Sequence, residues 1–224
     1  MQAAFVVVVI VLVGLVAYLT YLRNKKRREA FAAWAGGRGW TYVAEDNSVI
    51  GRFDGTPFGR GDHQRAHNVV TGMRDGRPIV AFDYSYQTHS TDSNGNRTTT
   101  THRYNVMSIG LPAHLPTLEV CRESVLNKVG RALGFRDIEF ENEEFNRRFN
   151  ISCKDRKFAS DVLHPRMMQW LLDNEGPGWR MDRADLVCWD SGRISPEVVD
   201  RQLGYLDAIA EQVPRFVWQD RGAQ

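Results

Sequence analysis

From Ala3 to Leu22 (AAFVVVVIVLVGLVAYLTYL) the chain has no polar rhythm at all: twenty residues pass without a charge. A helix of that length is about 30 Å long, the thickness of a bilayer's hydrocarbon core. Thirteen of the twenty are Phe, Val, Ile or Leu, which favours insertion by on the order of 4–8 kcal/mol. The run is too long for a buried core helix or strand. A cleaved signal peptide needs basic residues before the apolar run and a small-x-small site after it. Here Met1-Gln2 precedes and Arg23-Asn24-Lys25-Lys26-Arg27-Arg28 follows. The pattern predicts one transmembrane helix, with residues 1–36 forming the anchor and a juxtamembrane helix. Cations stay on the cytoplasmic side, so the N-terminus is expected outside and the rest within the cell. The expected location is the cell (inner or plasma) membrane, single-pass. The expected flank is Tyr18 and Tyr21 at the inner interface, then Arg23, Lys25, Lys26, Arg27 and Arg28 among lipid headgroups. Phe31 and Trp34, three apart, are expected to rest on the headgroups until Gly36-Gly37 ends the helix. The span holds no GxxxG, so it makes no case for helix-driven dimerisation.

Beyond the anchor the period shortens. Residues 37–61 read as a glycine-rich linker containing a first strand at Trp40-Thr41-Tyr42-Val43, and residues 62–224 as one cytoplasmic α+β domain. Val69-Val70, Ile79 to Tyr86 and Tyr104 to Leu111 form a predicted antiparallel meander. Asp75-Gly76 is a two-residue hairpin signal, and Asn94-Gly95 lies between the second and third strands. With those two dipeptides as loops, Thr71 faces Val80, Val69 faces Phe82, Phe82 faces Met107 and Val80 faces Ile109. All five apolar side chains of the set Val69, Val80, Phe82, Met107 and Ile109 then share one face. The tip from Ser90 to Thr101 would project as a ribbon.

Leu111-Pro112 and Leu115-Pro116 are expected to end the third strand, with Leu118-Glu119-Val120 pairing again. Glu123 to Leu133 has helical spacing, and Ile138-Glu139-Phe140 and Ile151-Ser152-Cys153 are short strand candidates. Asp155 caps a predicted helix over 156–163, and Pro165 opens a second after a bend at His164. Trp179 to Trp189 reads as a hairpin. Ser195 and Pro196 open a last helix with Leu203, Leu206, Ile209 and Val213 in its stripe, and Pro214 ends it. About three to four helices thus accompany the sheet.

Glu144-Phe145-Asn146-Arg147-Arg148-Phe149, followed by Asp155, Ala159 and Leu163-His164-Pro165-Arg166-Met167, resembles an uncharacterised bacterial family of membrane-anchored proteins. The shared features are an E-F-N-x-x-F box, then D-x-x-x-A, then L-x-P-x-M, over roughly Phe82 to Val213. The family carries no assigned activity, so the resemblance implies no site residues. Read physically, Phe145 and Phe149 bury together, Asn146 bonds a nearby backbone, and Ala159 permits close packing.

The net charge of +2 conceals an asymmetry. Residues 29–224 carry 24 basic and 27 acidic residues, a balance of −3, without a basic cluster. No nucleic-acid partner is expected. Cys121, Cys153 and Cys188 lack a CxxC pair, which fits a reducing compartment. His63 and His67 have a helical zinc spacing in a strand-like context, Asp83 looks solvent-facing, and no P-loop, GxSxG, GxGxxG or HExxH occurs. No catalytic, cofactor or metal residues are assigned. The expectation is a membrane-anchored binding or scaffold module whose partners are membrane lipid and a protein at the cytoplasmic face. The alternative is a membrane-tethered enzyme, such as a hydrolase, with a site assembled from distant residues.

Overall fold

The computed structural model describes residues 2–93, 95–122 and 138–220, with the backbone alone for residues 2–11 and 13. It is an α+β fold built on an antiparallel sheet with several helices. The order is α1 (Gln2–Gly36), β1 (Thr41–Glu45), a 3-10 turn (Asn47–Arg52), β2 (Asp62–Arg74), β3 (Arg77–Thr91) and β4 (Arg97–Arg122). Then come α2 (Glu143–Arg148), β5 (Phe149–Cys153), α3 (Arg156–Val162), α4 (Pro165–Asp173), β6 (Gly178–Ser191), α5 (Pro196–Gln212) and α6 (Arg215–Asp220). The helix expected over 123–133 lies outside the described residues.

The sheet runs β1-β2-β3-β4-β5, with β6 on the other side of β4. Asp75 and Gly76 both take positive φ (49° and 77°), the geometry of a two-residue hairpin turn, and Thr71 pairs with Val80 as the spacing requires. Toward Val69 the register breaks: a bulge between His67 and Val70 contains Asn68 at φ 51°. The second hairpin departs by one residue. Phe82 pairs with Val106 and Val80 with Ser108, because the chain turns through five residues, 92–96, rather than two. Met107 and Ile109 therefore lie on the face opposite Phe82, not beside it.

A one-residue slip normally exposes a core, but here both faces are covered. One face (Val70, Ile79, Ala81, Met107, Ile109, Leu118) packs against Met167 and Leu171 of α4 and Leu203, Leu206 and Ile209 of α5. The other (Ala66, Val69, Val80, Phe82, Tyr84, Val106, Trp189) is roofed by Phe53 and Phe58 from the segment before β2. Phe53 stacks on Phe58 at 5.2 Å and on Phe82 at 5.9 Å. Residues 37–61 thus hold β1, the 3-10 turn and the roof of a second core.

The prolines do not end β4. Its ladder to β3 stops at Ile109 and that to β5 begins at Leu118, so Pro112 and Pro116 sit where that edge is unpaired. On the β6 side the register shifts twice around Leu115. A strand tolerates proline where no ladder N–H is needed. Likewise residues 178–191 are one strand, kinked at Arg183 (φ 56°), not a hairpin. Ile138–Phe140 is not a strand; it is tied to β5 by Ile138 N–H donating to the Ile151 carbonyl, 3.2 Å.

The boxed motifs build local structure. Asn146 clasps Phe140 in both directions, Nδ2 donating to its carbonyl (2.7 Å) and Oδ1 accepting from its N–H (3.0 Å). Phe145 stacks on Phe149 at 4.9 Å. Asp155 Oδ1 caps α3 by accepting from Phe158 N–H at 2.9 Å. His164 caps α4: Nδ1 accepts from Met167 N–H (3.3 Å), which leaves Nε2 to donate to the Gln212 carbonyl (3.1 Å). The two-helix bend at Pro165 and the Ser195–Pro196 start of α5 follow the sequence reading.

Candidate functional site

The site is the root of α1, where a long helix meets the folded body. Its last turns do not rest free. Phe31 is 5% exposed and Ala35 fully buried. Phe31 stacks on Trp34 (5.0 Å) and meets Tyr42 of β1 edge-on (5.9 Å), and Trp34 meets Trp40 edge-on (5.4 Å). Phe31 and Trp34 therefore pack on β1 instead of lying among headgroups. Two neighbouring apolar surfaces, the helix stripe and the edge of β1, bury each other. Gly72 makes room: a Cβ there would meet the Trp40 ring at 2.2 Å, and Trp40 Nε1 donates to the Met73 carbonyl (2.9 Å).

A chain of polar contacts holds the same root. Tyr42 hydroxyl donates to Asn68 Oδ1 (2.9 Å), and Asn68 Nδ2 donates to Asp83 Oδ2 (2.7 Å). Asp83 Oδ1 accepts from Ile194 N–H (2.7 Å), and the Ile194 carbonyl accepts from Arg27 Nη2. Asp83 is thus half-buried beneath α1, not solvent-facing. The sheet face it belongs to, with Ile79 and Ala81, is the one the helices cover. Burial pushes its carboxyl above the usual range, although the bonds from Ile194 and Asn68 and the charges of Arg27 and Arg193 pull the other way. Burial also raises Tyr42, against the charges of Arg28 and Arg27. The bulge at Asn68 carries the network, and bulges leave no simple mark in sequence.

Outward from this root, the helix is exposed and apolar. Leu12, Leu15, Val16 and Leu19 are 54%, 51%, 63% and 47% exposed, and Tyr18 and Tyr21 are open as well. At about 100° per residue Leu12, Leu15, Val16 and Leu19 fall in one stripe about 100° wide, which Tyr18 and Tyr21 widen to about 220°. Among the described residues, no helix is long and apolar enough to cross a membrane. Side chains 3–11 and 13 of the predicted span lie outside those described. Of the flanking cations, Lys25 approaches Glu29 (3.9 Å), Arg27 turns to the body, and Arg23, Lys26 and Arg28 are exposed.

Other candidates resolve into structure. His67 lies near Glu45 (3.7 Å), and no group of three metal-binding side chains forms among the described residues. His89 meets Thr99 and His102 meets Thr88, each at 2.9 Å, while His102 stacks on Tyr86. Cys121 and Cys188 are buried and their thiols pushed up by desolvation, which suppresses the nucleophilic thiolate. Cys153 Sγ donates to the Asp155 carbonyl. Sequence reading missed Arg180, 2% exposed on the roofed face. It pairs with Glu119 (3.0 Å), reaches the Thr56 carbonyl (3.3 Å) and lies over Trp189, so it fastens the roof.

No protein-family model matches the chain, and no curated protein does. Among solved structures, the chain is similar to the mycobacterial trehalose monomycolate transport factor A, TtfA, with a TM-score of 0.61 at 15% identity. The likeness covers 84% of this chain and 92% of that one. At that identity it shows a shared fold.

Proposed function

We propose that the protein is a single-pass membrane-anchored binding or scaffold module, with its folded body held at the cytoplasmic face and the start of α1 outside. The observation that carries this reading is the exposed apolar stripe along α1 at Leu12, Leu15, Val16 and Leu19, on a run that has no charge from Ala3 to Leu22. Because residues 3–22 carry no charge, no side of the helix presents a charged face, and such a helix is stable only when something apolar surrounds it. The cation-rich flank from Arg23 to Arg28 favours the orientation. The fold it shares with a transport factor supports an accessory role at a membrane, in which the body engages a protein partner, over catalysis. The motif resemblance to an uncharacterised membrane-anchored family points the same way.

The test is alkaline extraction followed by protease treatment of spheroplasts. The full-length protein should stay in the membrane pellet, and its body should survive protease until the membrane is lysed. Release by alkali, or digestion in intact spheroplasts, overturns the reading. Crosslinking in the native membrane should then yield a stoichiometric protein partner.

A further inference from the structure

The loop between β6 and α5 places one more cation at the root of α1. Gly192 N–H donates to the Arg103 carbonyl (3.4 Å), Ile194 N–H donates to Asp83, the Ile194 side chain is 1% exposed, and Ser195 caps α5. Arg193 is therefore an exposed side chain on a backbone fixed on both sides. Arg27 of α1 bonds the carbonyl of the very next residue, and the charges of Arg27 and Arg193 both act on Asp83. Arg23 stands four residues before Arg27, on nearly the same face of α1 and about 6 Å nearer the apolar segment.

We infer that Arg23, Arg27 and Arg193 together hold the phosphate of an anionic phospholipid headgroup. The inference rests on the membrane reading above and deepens it, naming the ligand and adding a residue of the body to the site. Three guanidiniums, two on one face of α1 and one on the loop whose Ile194 carbonyl Arg27 bonds, suit a phosphate. Each offers planar N–H pairs matched to its oxygens, and the pre-fixed loop lowers the ordering cost. The position next to the apolar run puts the cluster at headgroup depth, which favours a lipid over a free ion.

The experiment uses the full-length protein in nanodiscs of phosphatidylcholine alone or with about one phosphatidylglycerol in four. The lipids retained after mild extraction are counted by native mass spectrometry. The wild type should enrich phosphatidylglycerol, and Arg193→Gln should lower that enrichment about fivefold. Arg147→Gln, which removes the same charge from α2, should leave it unchanged. Equal behaviour of the two variants overturns the inference, as does loss of the enrichment on adding millimolar inorganic phosphate, which would reassign the site to a free anion. A protein that inserts but shows no lipid preference overturns this inference alone. One that fails to insert overturns the membrane reading beneath it.

Discussion

Phe58→Ala tests the second core. Phe58 is 3% exposed and lies against Phe53 (5.2 Å), Tyr84 (5.0 Å) and Phe82 (6.4 Å). It belongs to a segment that the sequence reads as linker, yet the structure uses it to roof the sheet. Truncating a buried phenylalanine costs about 3–5 kcal/mol in lost transfer energy and residual cavity. For a domain of this size that lowers the Tm by about 6–20 °C. The assay is denaturant and thermal unfolding of the full-length protein in detergent, followed by Trp fluorescence. Phe58→Ala, Phe82→Ala and the double variant complete a cycle. Because the two rings meet each other and share Phe53, the double variant should cost less than the sum of the singles by about 0.5–3 kcal/mol. Met73→Ala, at a side chain 59% exposed, serves as the surface control and should change stability by less than about 0.5 kcal/mol. A loss below about 1 kcal/mol for Phe58→Ala, or additive costs, would mean that residues 53–58 do not cover the sheet.

Asp83 sets a pH dependence. Its folded-state carboxyl titrates above the unfolded value, so between the two the native state binds more protons and stability falls as pH rises through that window. Unfolding measured across acidic pH should show that slope in the wild type and lose it in Asp83→Asn; an unchanged slope refutes the burial argument. Gly72→Ala should push Trp40 off the helix root and destabilise by about 1–3 kcal/mol, with a shift in Trp emission; unaltered emission and stability would mean α1 is not fastened there. Asn146→Ala leaves the Phe140 backbone pair without partners and should cost about 1–3 kcal/mol in denaturant unfolding. An effect below about 0.5 kcal/mol would remove the fold-making role assigned to the E-F-N-x-x-F box.

Local chemistry was legible from the sequence. The Asp75-Gly76 turn, the Asp155 and Ser195 caps, the bend at Pro165 and the Asn146 clasp each depend on groups within a few residues of one another. The sequence also placed an apolar stretch and its cations at one end of the chain. Tertiary structure decided the rest. Alternation along a strand reports which face is buried only when the other is wet. In β3, where Ile79 through Phe82 are all buried, the pattern loses that information, and the register and the fate of Asp83 become unreadable. Pro112 and Pro116 look like strand ends until the gap between β3 and β5 leaves one edge of β4 unpaired there, while β6 carries the strand along the other. The root of α1 is joined by Tyr42, Asn68, Asp83 and Ile194, which lie up to 152 positions apart. Only the fold's long-range closure brings those four together, because no local preference couples residues so far apart.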